Sequence, residues 1–539
     1  MEGFCFQWLC VIVFSYVLLL FTQKAFVHLW WTPKIIQKHF KKQGITGPKY
    51  HFLFGNLKEI ASFTTPSWPS TFTSHDILPN VLPFYHHWKK IYGSIFVIWF
   101  GPTARVTISD PALIRDIFVL KSDNFEKNES PALVKKLEGD GLLSLKGEKW
   151  AHHRKIITPT FYIENLRLMI PMMGKSMKEM LDKWSKMSNA SGKVEIEVSE
   201  MFSTLAEDVI TRIVFGNSYE DGKAIFELQA QQMVYATEAY QKVFIPGYRF
   251  LPSKKNRICW RLDKEVRKSL RKLIEERRKI DEAVLSEECP NDLLEVMIKA
   301  GSDDEYRNNI TVNDIVEECK TIFFAGKHTT SNLLTWTTIL LAMHPQWQEL
   351  ARDEVLTVCG ARDPPSKHQI SKLKTLGMII NESVRLYPPA VAAIRRAKVD
   401  TQLGDFTLPR GTELLIPIIA IHHDQTLWGQ DANEFNPARF GLGVAQAAKH
   451  PMAFMPFGLG ARRCVGQNLA VLQAKLAIAM ILQRFSFDLS PNYQHAPTKL
   501  LTPSFTTTNP FNNNIPNIIP QVRSGRVGDL QDLILTFVG

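Results

Sequence analysis

Apolar positions along the chain recur mostly at helical spacing. The longest such segment runs from Asn313 to Met343, is apolar nearly all round beyond Ile322, and stops before Pro345, next to which helices end. A second segment, Gln467 to Phe485, has the same period. Two short apolar stretches flank a Gly-Pro pair within residues 95–108 and predict a β-hairpin. We therefore predict a mainly α fold with a small β region.

The first apolar segment, Phe4 to Phe21, is uncharged and close to the ~20 residues that a bilayer core requires. No small-residue cleavage site follows it, so we predict an uncleaved transmembrane anchor at residues 1–23 rather than a removed signal peptide. Residues 24–48 are basic and end in Gly44-Ile45-Thr46-Gly47-Pro48, which predicts a hinge. Because Glu2 precedes the anchor and basic residues follow it, the rest of the chain is expected in the cytosol. These basic residues are Lys24, Lys34, Lys38, Lys41 and Lys42.

Composition narrows the classes of function. The formal net charge is +11, but the basic residues are dispersed and match no nucleic-acid motif, so we expect no nucleic-acid partner. An anionic membrane surface or an acidic protein partner explains the charge. Seven cysteines are widely scattered, which indicates a reducing compartment rather than a disulfide framework. Few linkers interrupt residues 49–497, which we predict to be one large domain.

The candidate chemistry lies in the loop before Gln467, which reads Phe457-Gly458-Leu459-Gly460-Ala461-Arg462-Arg463-Cys464-Val465-Gly466. It sets Cys464 near a predicted helix N-terminus, where unpaired amides and the helix dipole favour a thiolate. The glycines allow a flat ligand to approach, and Arg462 adds a positive charge. A thiolate in such a loop suits axial ligation of haem iron.

One alternative role for this loop is open, and two others lack the residues that they would need. Cys464 could be a small buried hydrophobe, as many lone cysteines are. A dinucleotide-binding loop would need glycine where Arg463 stands. A zinc site would need partner ligands, and no C-x-x-C or H-x-x-x-H pair lies nearby.

Three further constellations carry possible chemistry. Trp150 and Arg154 share one helix face and can hold a carboxylate, or simply stack. In the 313–343 segment, the Thr329 hydroxyl can bond a carbonyl one turn earlier, and mid-helix Gly326 costs ~1 kcal/mol. Both features loosen a turn where dioxygen could fit, or else serve small-residue helix packing. Glu382 and Arg385 also share a face, and such pairs, when exposed, contribute under ~1 kcal/mol.

Together these motifs resemble the cytochrome P-450 family of haem-thiolate monooxygenases. The cysteine loop resembles the family's F-G-x-G-x-R-x-C-x-G, and the other segments resemble W-x-x-x-R, A-G-x-[DE]-T-[TS] and E-x-x-R. His328 stands where the third motif has its acid. Arg439, in the segment Phe435-Asn436-Pro437-Ala438-Arg439-Phe440, would join the E-x-x-R pair. The resemblance implies a cytochrome P-450 fold after one transmembrane helix, with haem b as cofactor and Cys464 as its axial iron ligand.

The resemblance also implies roles for single residues. The haem-binding set would be Cys464, Phe457, Trp150, Arg154, Arg462 and Arg395, with Arg396 competing with Arg395. Thr329 would position oxygen and protons. His328 would join the proton relay, since imidazole titrates near neutrality, or Thr329 and water would carry it. Glu382, Arg385 and Arg439 would brace the segment behind the haem.

The same resemblance implies partners and a location. Electrons would come from NADPH through a flavoprotein reductase, docked near Lys149, Lys155 and Arg463. The protein would be single-pass in the endoplasmic reticulum membrane, contacting lipid, with its catalytic domain in the cytosol. Its substrate would be a small apolar molecule, which Ala390 to Ile394 would face.

The segment Ala325–Trp336 and the start of the cysteine loop most resemble plant brassinosteroid C-26 hydroxylases, which inactivate these steroid hormones. Other substrates in the same enzyme class are a gibberellin, a cytokinin or a fatty acid. Outside that class, a non-catalytic haem- or steroid-binding protein and a membrane scaffold without cofactor are the alternatives.

Two segments concern the substrate pocket. The apolar break Ile245 to Pro252 predicts a membrane-facing substrate entrance or a plain interhelical loop. Thr502 to Pro520 is rich in Thr, Asn and Pro, which predicts turns or disorder in an atypical tail, 498–539. The family has an apolar strand pair there, so this tail would remove one wall of the pocket.

Overall fold

The long apolar-periodic segment is the helix around which the others pack. In a computed structural model of the chain, α15 spans Val312–Met343. Thr311 and Asp314 form a reciprocal capping box that satisfies amides at its start, and Pro345 follows its end. The helix packs against α11, α18 and α21, and most of its residues are buried. The predicted mainly helical fold is confirmed.

The structure describes residues 2–63, 75–128, 132–187, 194–240, 251–281, 292–302, 310–361, 364–491, 493, 495, 499–500, 506–507 and 517–521. The helices before α15 are α1 (Glu2–Phe26), α2 (Thr32–Lys42), α3 (Leu57–Ser62), α4 (Leu78–Val81), α5 (Pro83–Tyr92), α6 (Pro111–Arg115), α7 (Ala132–Glu138), α8 (Gly147–Ile157), α9 (Ile163–Leu168), α10 (Ile170–Met187), α11 (Val198–Phe215), α12 (Tyr219–Tyr240), α13 (Lys254–Asp281) and α14 (Leu293–Ser302). Those after it are α16 (Pro345–Cys359), α17 (Lys367–Lys372), α18 (Lys374–Leu386), α19 (Ile418–His422), α20 (Gln425–Trp428) and α21 (Gln467–Arg484).

The strands are short, and five of them form one mixed sheet. They are β1 (Val97–Phe100), β2 (Thr103–Thr107), β3 (Phe125–Lys127), β4 (Ile196–Glu197), β5 (Ala393–Ala397), β6 (Thr401–Leu403), β7 (Phe406–Leu408), β8 (Glu413–Ile416), β9 (Ser486–Leu489), β10 (Lys499–Leu500), β11 (Thr506–Thr507) and β12 (Asn517–Gln521).

The largest sheet has five strands in the order β1-β2-β8-β5-β3. The predicted hairpin is its first pair, with Val97 opposite Val106 and the turn at Gly101-Pro102. At the other edge, β3 pairs antiparallel with β5 and sets Lys127 opposite Arg395. The sheet therefore brings two basic side chains from distant parts of the chain to one place.

The predicted hinge at 24–48 is wrong for most of its length. Helix α1 continues through a π-helical turn into α2. The resulting helix from Phe6 to Lys42 is long and apolar enough to cross a membrane. Phe40 of α2 is fully buried. At its end, the side chain of Gln43 bonds Thr407 twice: its Nε2 donates to the carbonyl at 3.2 Å and its Oε1 accepts from the amide at 2.6 Å. The basic residues thus extend the anchor helix onto the globule.

The expectation of turns or disorder for Thr502 to Pro520 is also wrong in part. Asn517–Gln521 forms β12, which pairs antiparallel with both β9 and β4. Thr506–Thr507 pairs with Lys499–Leu500. An open strand edge accepts any extended backbone, and the isoleucine pair in β12 favours strand. Residues 522–539 and 241–250, which include most of the predicted substrate entrance, lie outside the described residues.

We predict that Gln43→Ala loosens α2 from the β6–β7 hairpin. Removing one side chain breaks both bonds to Thr407 and should raise amide exchange across α2, because the docking loses about 1–3 kcal/mol. Hydrogen–deuterium exchange with mass spectrometry measures this, with the exposed Lys41→Ala as control. Equal exchange in the two variants would show that Gln43 does not hold α2.

Candidate haem site

Backbone contacts fix the shape of the cysteine loop. The amide of Cys464 donates to the carbonyl of Phe457 at 2.8 Å, which closes the loop. Gly460 has φ +66°, and a Cβ there would collide with the carbonyl oxygen of Phe118. Only glycine fits so close an approach. The loop thus leaves the side chain of Cys464 accessible at the beginning of α21.

Electrostatics at the sulfur differ from the sequence expectation. The Cys464 sulfur is accessible but lies deep among protein atoms, and this desolvation raises the pKa of its thiol, while the amide of Gly466 and the charges of Arg154 and Arg463 lower it. Burial is the largest of these effects, so the helix N-terminus alone does not favour the thiolate. Binding to a metal ion would remove the proton outright.

Three basic side chains converge near this loop. The guanidinium of Arg462 stacks on the Trp150 ring at 4.3 Å and donates to the carbonyl of Leu145 at 2.9 Å. Burial and the charge of Arg462 lower the pKa of Arg395 to about 10. Burial lowers the pKa of Lys127 to about 8, with Glu138 opposing and the two arginines adding to the effect. These cations repel one another, so an anionic ligand would stabilise all three.

This arrangement fits a haem. A porphyrin carries two propionates, which would balance the converging cations, and an accessible cysteine sulfur lies in the adjoining loop. Phe118 links the two parts, because its carbonyl lies against Gly460 and its ring stacks on Arg395 at 4.5 Å. Among the described residues no group of three or more His, Cys, Asp or Glu side chains could hold a separate metal ion.

The structure separates the two arginine candidates and adds a residue. Arg395 is half-buried beside Arg462, whereas Arg396 is exposed. Sequence reasoning missed Lys127, which belongs to no motif. Its pairing with Arg395 across β3 and β5 is the signal, and that pairing exists only once the sheet is formed.

Helix α8, which carries Trp150 and Arg154, is tied to α15 by His153. His153 is fully buried, and its Nδ1 lies 2.6 Å from the carboxylate of Glu318. The other oxygen of Glu318 accepts from the amide of Leu142 at 2.9 Å. This buried pair, also missed from sequence, fixes α8 against α15, and Arg154 lies close enough to Cys464 for the two side chains to affect each other's pKa.

The Thr329 hydroxyl donates to the carbonyl of Ala325 at 2.7 Å, the bond expected from the sequence. Gly326 has a packing role as well, because a Cβ there would meet the side chain of Ile210 on α11 at 2.9 Å. Helix α15 is unbroken across this turn. The close contact with Ile210 supports the packing role of the small residues, whereas a groove for dioxygen at this turn stays a prediction.

Comparison with known proteins identifies the family. The family model of cytochrome P450 matches residues 65–512. The chain is 62% identical over 497 residues to cytochrome P450 734A1 of Arabidopsis thaliana, covering 91% of this chain and 94% of that protein. It is 57% identical over 487 residues to cytochrome P450 734A6 of Oryza sativa subsp. japonica, covering 88% and 90%. The chain belongs to the cytochrome P450 family.

A cytochrome P450 is a monooxygenase that uses haem b and electrons from NADPH, delivered through a reductase. This cytochrome P450 carries its E-x-x-R pair in full burial. Arg385 donates to both oxygens of Glu382, at 2.6 and 2.7 Å, and neither side chain is exposed. Its remaining hydrogens reach backbone carbonyls of His422, Ala432 and Glu434.

Arg439 completes this network from a different side. Its Nε lies 3.6 Å from Glu382, and its other nitrogens bond the side chain of Asp431 and the carbonyl of Trp428. His422 extends the network toward the cysteine loop. Its Nε2 accepts from the amide of Met455, so its Nδ1 carries the proton donated to the carbonyl of Arg385. Burial lowers the pKa of His422 to about 3, which keeps this arrangement neutral.

His328 differs from its predicted behaviour. Burial, with a smaller effect from Lys327, lowers its pKa to about 4. The imidazole is therefore neutral throughout the physiological range and does not titrate near neutrality. Lys327 itself forms an ion pair with Glu207 of α11, so it does not serve in the relay.

We predict that Arg385→Lys destabilises this cytochrome P450 by about 3–5 kcal/mol, because a lysine leaves Glu382 without its bidentate partner in a buried site. Thermal unfolding at a fixed scan rate and the haem-to-protein ratio measure the loss. The exposed pair Lys272–Glu276 supplies the control, since Lys272→Met should change stability by at most about 0.5 kcal/mol. Similar losses in both variants would contradict the burial argument.

We also predict that His328 does not affect the pH dependence of turnover near pH 7. With its pKa lowered to about 4, the group is neutral both above and below pH 7, so the turnover profile of His328→Gln between about pH 6 and pH 8 should have the wild-type shape. Single-turnover product formation measures it. An inflection in that range that is present in the wild type and lost in the variant would contradict a neutral His328.

Proposed function

We propose that this cytochrome P450 hydroxylates the side chain of brassinosteroids at C-26 and thereby inactivates these hormones. The observation that carries the proposal is the combined similarity to the 734A proteins and to the Ala325–Trp336 segment of brassinosteroid C-26 hydroxylases. A rigid, apolar steroid is also the kind of substrate that an apolar, water-excluding site binds well.

In this proposal Cys464 binds the haem iron, and Arg395, Arg462, Lys127, Arg154 and Trp150 hold the propionates. Haem iron with a thiolate ligand supplies the oxygen-activating chemistry. Phe457 fixes the loop through its carbonyl bond to the Cys464 amide. The network of Glu382, Arg385 and Arg439 has a structural role in this proposal, because Glu382 and Arg385 are fully buried and the network's hydrogen bonds connect α18 to the segment that follows α20.

Thr329 has the proton-handling role in this proposal. Its hydroxyl donates to the Ala325 carbonyl, so its oxygen lone pairs remain able to accept from water or substrate. His328 stays neutral and does not supply protons by titration near pH 7. On the substrate side, Val391 and Ala392 are buried and Ile394 is half-buried, which gives the segment after α18 an apolar character.

We further propose an endoplasmic reticulum location with the globule in the cytosol. The apolar helix from Phe6 and the lysines that follow it support this orientation. The reductase would dock on the exposed basic residues around the cysteine loop, namely Lys149, Lys155 and Arg463. Lys149 also forms an ion pair with Asp314 at 2.6 Å, so it contributes to stability as well.

Binding spectra against a panel of plant hormones test the substrate. We expect a spin-state shift with brassinosteroids, and turnover to a C-26 hydroxylated product with reductase and NADPH. Cys464→Ser is the control, because it should remove the thiolate carbon monoxide spectrum and all turnover. A spin-state shift with gibberellin, cytokinin or fatty acid alone would show that one of these compounds, and not a brassinosteroid, is the substrate. Binding without turnover would indicate a non-catalytic steroid-binding protein.

Charge reversal tests the docking surface. Lys155→Glu, alone and with Arg463→Glu, should slow haem reduction by the reductase severalfold and weaken its salt dependence, because complementary charges speed association. Stopped-flow reduction under carbon monoxide measures this, and absorbance checks that haem content is unchanged. Lys268→Glu, a reversal on the exposed face of α13, is the matched control. Unchanged rates in the test variants would exclude this docking site.

A further inference from the structure

A cavity lies where the membrane helix meets the sheet. It has a volume of about 360 Å³, and its lining includes Leu29, Leu53, Phe54, Leu57 and Phe100. His28 is the ionisable residue among the lining residues. We call this cavity the junction cavity. Its volume is within the range of ligand sites, which begins at about 300 Å³, and its walls are mainly apolar.

The position of this cavity along the anchor is informative. Twenty residues from Phe6 make about 30 Å of helix, the thickness of a hydrocarbon core. Leu29 follows within roughly one helical turn of that length. The helix is continuous and Tyr50 donates to the carbonyl of Leu29 at 2.5 Å, so a helix that crosses the membrane would hold the cavity at the boundary of the bilayer.

The surroundings of the junction cavity match such a boundary. Trp30, Trp31 and Phe52 are 38%, 57% and 53% exposed, and Trp30 contacts Phe52 with ring centroids 6.1 Å apart. Aromatic side chains of this kind are enriched at lipid headgroups. Leu53 has φ +67°, and it is the one non-glycine residue with positive φ in the described chain. The strained leucine turns its side chain into the cavity wall.

Two lysines flank the cavity. The ammonium of Lys34 lies 4.9 Å from the centre of the Trp30 ring, and that of Lys58 lies 5.0 Å from the centre of Phe54. Each lysine thus holds a positive charge beside an aromatic residue of the cavity or its rim. An apolar cavity with cations at its edge suits a molecule that has a hydrocarbon chain and a phosphate.

We propose that the junction cavity binds one acyl chain of a membrane phospholipid, whose phosphate lies near Lys34 and Lys58. The cavity adjoins the anchor, since His28 and Leu29 of that helix belong to its lining. The bound lipid would fill the space between anchor and sheet. The proposal depends on the membrane anchor and not on the identity of the hydroxylated substrate.

Photocrosslinking of the full-length haem protein tests this. The protein is placed in phosphatidylcholine nanodiscs that contain a phosphatidylcholine with a diazirine on one acyl chain, and labelled peptides are mapped by mass spectrometry. We expect labels at residues 53–57 and 100–102 as well as along α1. Labelling of α1 without labelling of these residues would overturn the proposal, whereas absence of label from α1 would overturn the anchor instead.

Matched variants sharpen the test. Leu57→Trp should fill the cavity and lower labelling of residues 100–102 severalfold, with α1 labelling unchanged. Leu57→Phe is the smaller change if tryptophan lowers haem content, and Ile91→Trp, at a residue 57% exposed on α5, is the control. Equal labelling of residues 100–102 in the filled and control variants would contradict the site. Loss of label on adding brassinosteroid would show that a steroid, not an acyl chain, occupies the cavity.

Discussion

The buried pair of Glu382 and Arg385 is the constraint on which much of the structure depends. Neither side chain is exposed, so each charge must be satisfied inside the protein. Arg385 does this by donating to three backbone carbonyls, one at the end of α19 and two in the segment after α20. His422 then carries the connection to Met455. The position of the Cys464 sulfur therefore depends on the buried charge of Arg385 on α18.

Helical period and motif spacing predicted the elements that have strong local signals. The bounds of α15, the β1–β2 hairpin and the Thr329 bond to Ala325 all follow from nearest neighbours along the chain. The pairing of Glu382 with Arg385 was also predicted, but its energy was not, because exposure decides whether such a pair is weak or essential. Burial is a property of the packed molecule and is not visible in residue spacing.

Other features arise only when distant segments meet. Lys127 acquires its position from a strand pairing, and His153 from contact with Glu318 of another helix. The pKa values of Cys464 and His328 depend on burial more than on adjacent residues, so reasoning from a helix dipole or an ordinary imidazole gave the wrong direction. The role of β12 likewise depends on the free edge of β9, which no composition of the tail could reveal.

The unbroken connection from α1 to α2 has a consequence for how the enzyme responds to its lipid surroundings. A helix longer than the local hydrocarbon thickness tilts to hide its apolar surface. With α2 fixed to the globule through Phe40 and Gln43, any such tilt would turn the whole globule rather than bend a linker. Bilayer thickness would thus set the angle at which the protein faces the membrane, and a thinner membrane would present a different part of its surface to lipid.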